Sequence, residues 1–372
     1  MLKKAAAVFL ICASTALCVG CLINNSSSVL YASLPASAQI LAYREDPNSG
    51  ILTQLSISPI TAGTGVQSLV VHPSGKYLYA ANAGENDVSL FTIEPGGPLV
   101  EVPPRAVTGT SPTLLVMDTA GQLLYVANSG SQNISVFSIG STGVLTAVGS
   151  PFQVGIAPLN MQIAPSGNFL YVTGASSQAG TPGYIEVLGI NSAAVAPAPV
   201  LSLIAITRPG TSPYGLAISP NGSYLYTANF GDNTISEFTI DPTAGTLTPI
   251  PGSPIGESYT GPVSLMVHPS GKYLYVANQQ TSGNVAGYNI GSDGSLTLLT
   301  SSPYPTSAQP SFIASDVVGN FLFVGNLSSP AIESFCLASS SQNCNASPGP
   351  GSLTEVAKYK LLGAPTSIVV SK

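Results

Sequence analysis

Tryptophan is absent from the chain, and Asp, Glu, Lys and Arg together make up only 7% of its 372 residues. The absence of Trp argues against a surface rich in sugar-stacking indole rings. The 10 Lys and Arg residues are outnumbered by 16 Asp and Glu residues, whereas nucleic-acid binding needs clustered basic side chains. Beyond the N-terminus no apolar period of 3.6 residues occurs, which argues against a helical fold.

Several catalytic and cofactor-binding motifs are also missing. The sequence contains no G-x-S-x-G elbow, no H-E-x-x-H pair, no P-loop and no EF-hand. The stretch GSDGS at 291–295 holds a single carboxylate, which is typical of a hairpin turn. We therefore expect neither a metal site nor a cofactor.

The first 21 residues have the pattern of a secretion signal. Lys3 and Lys4 precede an apolar stretch that is too short for a comfortable membrane span. The signal ends in ALCVGC, which resembles the lipobox of bacterial lipoproteins, with Cys21 as the acylated residue. Cys18 stands where that motif usually has Leu, so cleavage without lipidation, giving a secreted soluble protein, remains open.

An acylated chain would sit close to a membrane, since residues 22–28 form only a short tether. We expect an exported protein of the bacterial cell envelope that binds an unknown protein, peptide or glycan, and no nucleic acid. Without Lys3 and Lys4 it has eight basic and sixteen acidic side chains, a net charge of about −8. Cys336 and Cys344 remain, and a disulfide across a surface loop is favoured over half of a zinc site.

A phrase of about ten residues recurs along the chain. HPSGKYLYAAN at 72–82 and HPSGKYLYVAN at 268–278 are its closest copies, and DTAGQLLYVAN, APSGNFLYVTG, SPNGSYLYTAN and DVVGNFLFVGN are weaker ones. The matching aromatic residues are Tyr31, Tyr79, Tyr125, Tyr171, Tyr226, Tyr275 and Phe323. Their spacing of roughly 49 residues indicates seven structural repeats.

Each repeat divides into four short stretches of alternating apolar residues, separated by Pro, Gly, Asn and Asp. This pattern predicts antiparallel strands and an all-β, seven-bladed β-propeller with four-stranded blades over residues 29–372. Residues 29–58 supply only three strands, whereas the C-terminal APTSIVVSK matches a first strand. We expect the last strand to complete blade 1 and close the ring. The alternatives are an extended β-solenoid and two smaller β domains.

The phrases HPSGKYLYVAN and GQLLYVANSGSQNISVFSI resemble the YVTN-type repeats of the lactonase-like seven-bladed propeller family. That family includes 6-phosphogluconolactonases and muconate-cyclising enzymes. Its catalytic members carry roughly Gly-Pro-Arg-His at the start of an innermost strand and a Glu after the next strand. Here Gly261 and Pro262 match, but the Arg, His and Glu positions hold Val263, Ser264 and Gln279.

The other repeats do not restore these groups. The paired positions at the starts of the predicted innermost strands hold no charged residue and no His. They are Gln67 and Ser68, Thr113 and Leu114, Leu159 and Asn160, Tyr214 and Gly215, Val263 and Ser264, Ser311 and Phe312, and Thr366 and Ser367. A ring of neutral residues is a poor setting for general acid-base catalysis.

The two His residues, His72 and His268, fall in the predicted turn between first and second strands. That turn lies on the face opposite the family's site, so we interpret both as structural. Arg105, Arg208 and Glu257 lie in loops on the site face and are the catalytic candidates if the chain is a divergent lactonase. A solvated-loop role for these three residues is the simpler alternative.

The remaining candidates concern binding. The loop at 174–184 is longer than its counterparts, and variable loops on a rigid scaffold often carry recognition. Tyr184, Tyr214, Tyr259 and Gln279 are the predicted contact residues. The sequence favours a non-catalytic binding or scaffold module in the envelope, with a divergent lactonase, a 6-phosphogluconolactonase-like hydrolase, as the alternative.

Overall fold

The computed structural model describes residues 28–176, 183–192, 200–256, 259–338 and 349–371. These residues form seven antiparallel sheets that succeed one another around a ring, and we number these blades 1 to 7. The predicted seven-bladed propeller is confirmed. One 3-10 turn, Pro35–Ser37, is the sole helical segment in the described ranges.

The described ranges contain 33 strands, and every blade is built on four antiparallel strands. Blade 1 contains β1 (Val29–Leu34), β2 (Gln39–Glu45), β3 (Leu52–Gln54) and β4 (Ile60–Thr61). Blade 2 contains β5 (Val66–Val71), β6 (Tyr77–Asn82), β7 (Asp87–Ile93), β8 (Leu99–Glu101) and β9 (Ala106–Val107). Blade 3 contains β10 (Pro112–Met117), β11 (Leu123–Asn128), β12 (Asn133–Ile139), β13 (Leu145–Ala147) and β14 (Phe152–Gln153).

Blade 4 contains β15 (Ile156–Ile163), β16 (Phe169–Ser176), β17 (Tyr184–Ile190) and β18 (Leu201–Thr207), and blade 5 contains β19 (Pro213–Ile218), β20 (Tyr224–Asn229), β21 (Thr234–Ile240), β22 (Leu247–Pro249) and β23 (Ile255–Gly256). Blade 6 contains β24 (Pro262–Val267), β25 (Tyr273–Asn278), β26 (Asn284–Ile290), β27 (Leu296–Leu298) and β28 (Tyr304–Pro305). Blade 7 contains β29 (Pro310–Ser315), β30 (Phe321–Asn326), β31 (Ala331–Leu337) and β32 (Leu353–Lys360). The last strand, β33 (Ile368–Ser371), belongs to blade 1.

In blades 2 to 7 the strands pair in sequence order from the centre outward, as in β5-β6-β7-β8 of blade 2, whereas blade 1 has the order β33-β1-β2-β3. Five blades add a two-residue strand that pairs with the third strand, such as β9 with β7. Blades 4 and 7 instead have long fourth strands, β18 and β32. The described residues form seven hydrophobic clusters, and each cluster lies between two neighbouring blades.

The repeated Tyr of the second strand connects neighbouring blades. Its side chain is fully buried because both faces of a second strand pack against other blades. In five of the repeats the hydroxyl donates a hydrogen bond to a glycine carbonyl in the outer hairpin of the next blade. The pairs are Tyr31 with Gly97, Tyr79 with Gly143, Tyr171 with Gly245, Tyr226 with Gly294 and Tyr275 with Gly351, at 2.7–2.8 Å.

The ring closes through the two ends of the described chain. Strand β33 pairs with β1, with Val29 opposite Ser371 and Ala32 opposite Ile368. The Ser371 hydroxyl lies 3.3 Å from the amide nitrogen of Val29 and 3.2 Å from its carbonyl oxygen. The expected completion of blade 1 by the C-terminal strand is therefore confirmed, and it leaves no open edge between blades 7 and 1.

Both His residues connect blades at the end of the ring opposite the starts of the innermost strands. His72 follows β5, and its Nε2 atom lies 3.0 Å from the carbonyl oxygen of Gly121 in blade 3. His268 makes the same contact with Gly319 in blade 7 at 2.7 Å. In each ring the Nδ1 atom accepts a hydrogen bond from a Ser amide two residues later. These contacts give both His residues a structural role in the turn.

Residues 1–27 lie outside the described residues, so the signal peptide, Cys21 and most of the predicted tether stay predictions. Cys336 is buried at 6% exposure in β31, while Cys344 lies outside the described residues. The predicted disulfide therefore also stays a prediction. No helix within the described ranges is long and apolar enough to cross a membrane.

Candidate functional site

A cavity of about 300 Å³ opens on the axis of the ring, where the innermost strands begin. We call this cavity the mouth. Thirteen of the fourteen neutral positions singled out from the sequence line it, and the exception is Gly215. The complete lining is Gln67, Ser68, Thr113, Leu114, Ser129, Pro158, Leu159, Asn160, Tyr214, Val263, Ser264, Gln279, Ser311, Phe312, Leu327, Thr366 and Ser367.

A second cavity of about 310 Å³ adjoins the mouth and is lined by residues further along the innermost strands. Six side chains, one from each of six blades, line both cavities and therefore lie at the boundary between them. They are Ser68, Leu114, Asn160, Ser264, Phe312 and Ser367. In blade 5 the equivalent position is Gly215. A Cβ atom there would lie 2.6 Å from the carbonyl oxygen of Val263, so the strands of blades 5 and 6 approach closely.

Some hydroxyls of the mouth hold the ring together. Ser68 Oγ accepts a hydrogen bond from the Leu115 amide of blade 3 at 3.1 Å. Ser367 Oγ accepts one from the Leu69 amide of blade 2, also at 3.1 Å. These two Ser residues therefore contribute to blade packing as well as to the lining.

Three amide side chains of the mouth are free to bind a ligand. Gln67, Asn160 and Gln279 come from blades 2, 4 and 6, so they are spread around the opening. Within the described part of the chain none of them makes a side-chain hydrogen bond. Each amide offers both a donor and an acceptor. The mouth can thus bind the hydroxyl and carbonyl groups of a small polar molecule from several sides.

The mouth is electrically neutral. No Asp, Glu, Lys, Arg or His is part of its lining in the described residues. No cluster of three or more His, Cys, Asp or Glu side chains suited to a metal ion occurs in those ranges either. The lining can donate and accept hydrogen bonds, but none of its side chains can take up a proton near neutral pH.

Arg105 does not reach the mouth. Its guanidinium pairs with Glu85 and with Glu101, the latter at 2.6 Å between Nε and Oε1, and Asp87 lies at 3.9 Å. The hydrogen bond and charge of Glu101 are the main causes that raise the pKa of Arg105. Glu85 in turn accepts hydrogen bonds from the amide and hydroxyl of Thr64, which lower its own pKa. Arg105 is therefore part of an ion-pair group within blade 2.

Arg208 and Tyr184 form a second separate group, in blade 4. The guanidinium carbon of Arg208 lies 5.9 Å from the centre of the Tyr184 ring, within cation-π range. Burial is the main cause that raises the pKa of Tyr184, and Arg208 opposes it. Neither residue lines the mouth, and the structure does not bring Arg105 and Arg208 into one pocket. Glu257 lies outside the described residues, so its role as a catalytic candidate stays a prediction.

The other predicted contact residues divide into two groups. Tyr214 and Gln279 line the mouth. Tyr259 is partly buried and packs against the cluster between blades 5 and 6. Most of the long loop at 174–184 lies outside the described residues.

Sequence reasoning missed Phe230, which is 41% exposed beside Tyr214. Its signal was its alignment with Gln279, since both directly follow the Asn that ends a second strand.

The buried acids Glu186 and Glu333 have structural partners. Glu186 Oε1 accepts a hydrogen bond from the Gly155 amide at 2.7 Å, and burial raises its pKa. Glu333 accepts hydrogen bonds from the amide and hydroxyl of Ser307 and pairs with Lys358 at 3.2 Å. Both acids hold the segment that enters their own blade, and neither is part of the mouth lining.

Residues 21–161, 155–303 and 256–349 match the model of the lactonase family with a seven-bladed β-propeller. These segments cover most of the chain, so the chain belongs to this family. The resemblance inferred from the repeats is confirmed. No curated protein sequence matches the chain significantly.

Solved structures share the fold over nearly their whole length. A Bacteroides fragilis protein provisionally described as a 6-phosphogluconolactonase has a TM-score of 0.79 and 21% identity, covering 94% of this chain and 99% of that one. A protein of the same description from Bacteroides uniformis has a TM-score of 0.77 and 19% identity, with coverages of 92% and 99%. The periplasmic gluconolactonase of Pseudomonas aeruginosa has a TM-score of 0.73 and 17% identity, with coverages of 93% and 99%.

Proposed function

We propose that the protein is a divergent lactonase that binds an uncharged sugar lactone in the mouth and hydrolyses it. Family membership across most of the chain and the names of the structural relatives favour lactone chemistry over a purely structural role. The observation that carries the proposal is the mouth itself: a cavity of about 300 Å³, lined by neutral amides and hydroxyls, at the family's site. That volume suits one monosaccharide-sized ring.

The lining favours an uncharged lactone over a phosphorylated one. A phosphate group enters a protein site at low cost when Arg or Lys pairs with it. Neither residue type belongs to the described lining, and a net charge of about −8 after signal cleavage would also repel an anion. An unpaired phosphate would lose hydration without compensation.

The chemistry available in the mouth is polarisation rather than proton transfer. Hydroxide adds to the lactone carbonyl, the bond between the carbonyl carbon and the ring oxygen breaks, and the leaving ring oxygen takes a proton from water. The products are a carboxylate and a hydroxyl group, with one hydroxide consumed in total. Gln279 and Ser264 stand at the family's Glu and His positions and can donate hydrogen bonds to the carbonyl oxygen as it becomes negative. Because neither group titrates near neutrality, hydroxide is the expected nucleophile.

Initial-rate assays by pH-stat, corrected for spontaneous hydrolysis, test this proposal with glucono-1,5-lactone. We expect saturable turnover, with log kcat/KM rising by roughly one unit per pH unit because no general base acts. Gln279→Ala should lower kcat/KM by about a hundredfold, whereas Leu203→Ala, on the outer strand β18, serves as the control. A plateau in the pH profile that disappears in Glu257→Gln would instead assign Glu257 as the base.

A non-catalytic binding module is the second candidate. The observation that favours it is the absence of any acid or base from the described lining of the mouth. Binding of the unreactive lactam analogue of gluconolactone, measured by calorimetry, without turnover of the lactone would support this candidate. If neither binding nor turnover occurs, the proposed lactonase and a module that binds sugar lactones are both contradicted.

We also propose that the protein is exported and anchored through a lipidated Cys21, as the lipobox resemblance suggests. Several acyl chains are needed for stable anchoring, since one chain gives only marginal binding. Expression of the full chain in a bacterial host with an alkyne-tagged fatty acid tests this. We expect labelled protein in the membrane fraction and loss of label in Cys21→Ser. Equal labelling of both proteins, or none in either, contradicts the anchor.

A further inference from the structure

Two aromatic side chains are exposed together beside the mouth. Tyr214 and Phe230 are each 41% exposed, and their ring centroids lie 6.3 Å apart with the planes inclined at 46°. They are the two aromatic members of the set of large hydrophobic side chains that the described ranges leave exposed. Exposed apolar residues are ordinary when scattered, but two rings in contact at the edge of a cavity indicate a binding surface.

Repeat equivalence places Phe230 at the rim of the mouth. Phe230 follows the Asn that ends the second strand of blade 5. The residues at this position in blades 3, 6 and 7 are Ser129, Gln279 and Leu327, and all three line the mouth. Tyr214 itself belongs to the mouth lining. The aromatic pair is thus the outward continuation of the mouth on the side of blade 5.

Hydrogen bonds hold the backbone of both aromatic residues. The carbonyl oxygen of Tyr214 accepts a hydrogen bond from Thr173 Oγ1 at 2.8 Å. Phe230 donates its amide hydrogen to the carbonyl oxygen of Ser212 at 3.0 Å. Gly261 has a φ of +73°, and a Cβ atom there would lie 3.3 Å from Cε2 of Phe230. The Phe230 ring therefore lies against the backbone that leads into Val263 and Ser264.

The mouth and the aromatic pair offer different kinds of contact to a ligand. The mouth offers amides and hydroxyls that suit the polar edge of a sugar ring, whereas the aromatic pair offers ring faces. Aromatic faces carry partial negative charge and attract the weakly positive C–H groups on the apolar face of a sugar. Among the described residues no charged side chain lines the adjoining mouth, so a neutral unit is the occupant that fits.

We propose that Tyr214 and Phe230 form a subsite for a second sugar unit, joined to the lactone that occupies the mouth. The subsite rests on the proposed lactone-binding function and specifies its substrate class as a glycosylated sugar lactone. The mouth holds about one sugar ring, so the next unit of the same molecule would reach the aromatic pair. Because the sequence has no Trp, the rings of Tyr214 and Phe230 would provide the stacking surface for the sugar.

The test compares glucono-1,5-lactone with cellobiono-1,5-lactone, and the measured quantity is the ratio of their kcat/KM values. We expect the wild-type protein to favour the disaccharide lactone by roughly fivefold, a typical gain for one aromatic contact. Phe230→Ala should reduce this ratio to about one, and Phe230→Tyr should keep it. Leu203→Ala, which removes an exposed apolar side chain far from the mouth, should also keep the wild-type ratio.

The possible failures can be told apart. A wild-type ratio near one overturns the subsite while the proposed hydrolysis of lactones stands. A wild-type preference that survives in Phe230→Ala also overturns the subsite, since the preference then has another cause. Absence of binding and turnover with both lactones overturns the subsite and the proposed function together. Thermal melting of each variant shows that the compared proteins are folded.

Discussion

Glu45 is an acid in a place that is otherwise apolar. It ends the third strand of blade 1, and the residues that end the third strands of the other blades are Ile93, Ile139, Ile190, Ile240, Ile290 and Leu337. Glu45 is 1% exposed, and its carboxylate oxygens have no hydrogen bond of ordinary geometry in the described residues, although the nearby Ser28 hydroxyl lowers its pKa. Burial, with the nearby charges of Asp316 in blade 7 and Asp46, raises its pKa from 4.5 to about 8.

The raised pKa predicts that the protein loses stability as pH rises. The folded state holds the Glu45 proton while the unfolded state releases it near pH 4.5, so the free energy of unfolding falls between that pH and about 8. Glu45→Gln removes this titration. Urea denaturation should give similar stabilities for the two proteins near pH 4 and an advantage of a few kcal/mol for the variant near pH 9. A stability difference that does not change with pH contradicts the assignment.

At the scale of the element, the second strand and its repeated Tyr show what sequence reasoning could reach. The seven repeats, their four strands and the inward positions follow from period-2 patterning, which is local. The hydroxyl contacts to the next blade are not local, because Tyr79 and Gly143 are 64 residues apart. The importance of Phe230 escaped prediction for a related reason. Its contact with Tyr214 joins the end of one strand to the start of another.

Tyr79→Phe tests the interblade contact. The variant keeps the ring but leaves the buried carbonyl of Gly143 without its 2.7 Å hydrogen bond. We expect a loss of about 1–2 kcal/mol in the free energy of unfolding by urea. The neighbouring Tyr77→Phe is the matched control, since its hydrogen bond to Ser141 is exposed, and it should change stability by less than about 0.5 kcal/mol. Equal losses for both would refute a specific role for the buried contact.

For the whole molecule, the closure of the ring could be predicted from the sequence, whereas the partners of the charged side chains near the site could not. Closure was predictable because the C-terminal residues repeat the pattern of a first strand, and β33 pairs with β1 as expected. The sequence also placed neutral residues around the mouth. The sequence could not predict that Arg105 and Arg208 have different partners, because both lie in equivalent loops. The folded structure pairs Arg105 with Glu101 and places Arg208 over the Tyr184 ring. The chain thus has the fold of its family, while the described lining of its mouth holds no charged side chain.

The proposed function requires that the neutral mouth select an uncharged lactone. The most direct test is the ratio of kcat/KM for glucono-1,5-lactone to that for its 6-phosphate, measured with the mature protein at near-physiological ionic strength. We predict at least a tenfold preference for the uncharged lactone, because no cation of the described lining pairs with a phosphate. A preference for the phosphorylated lactone would contradict the account.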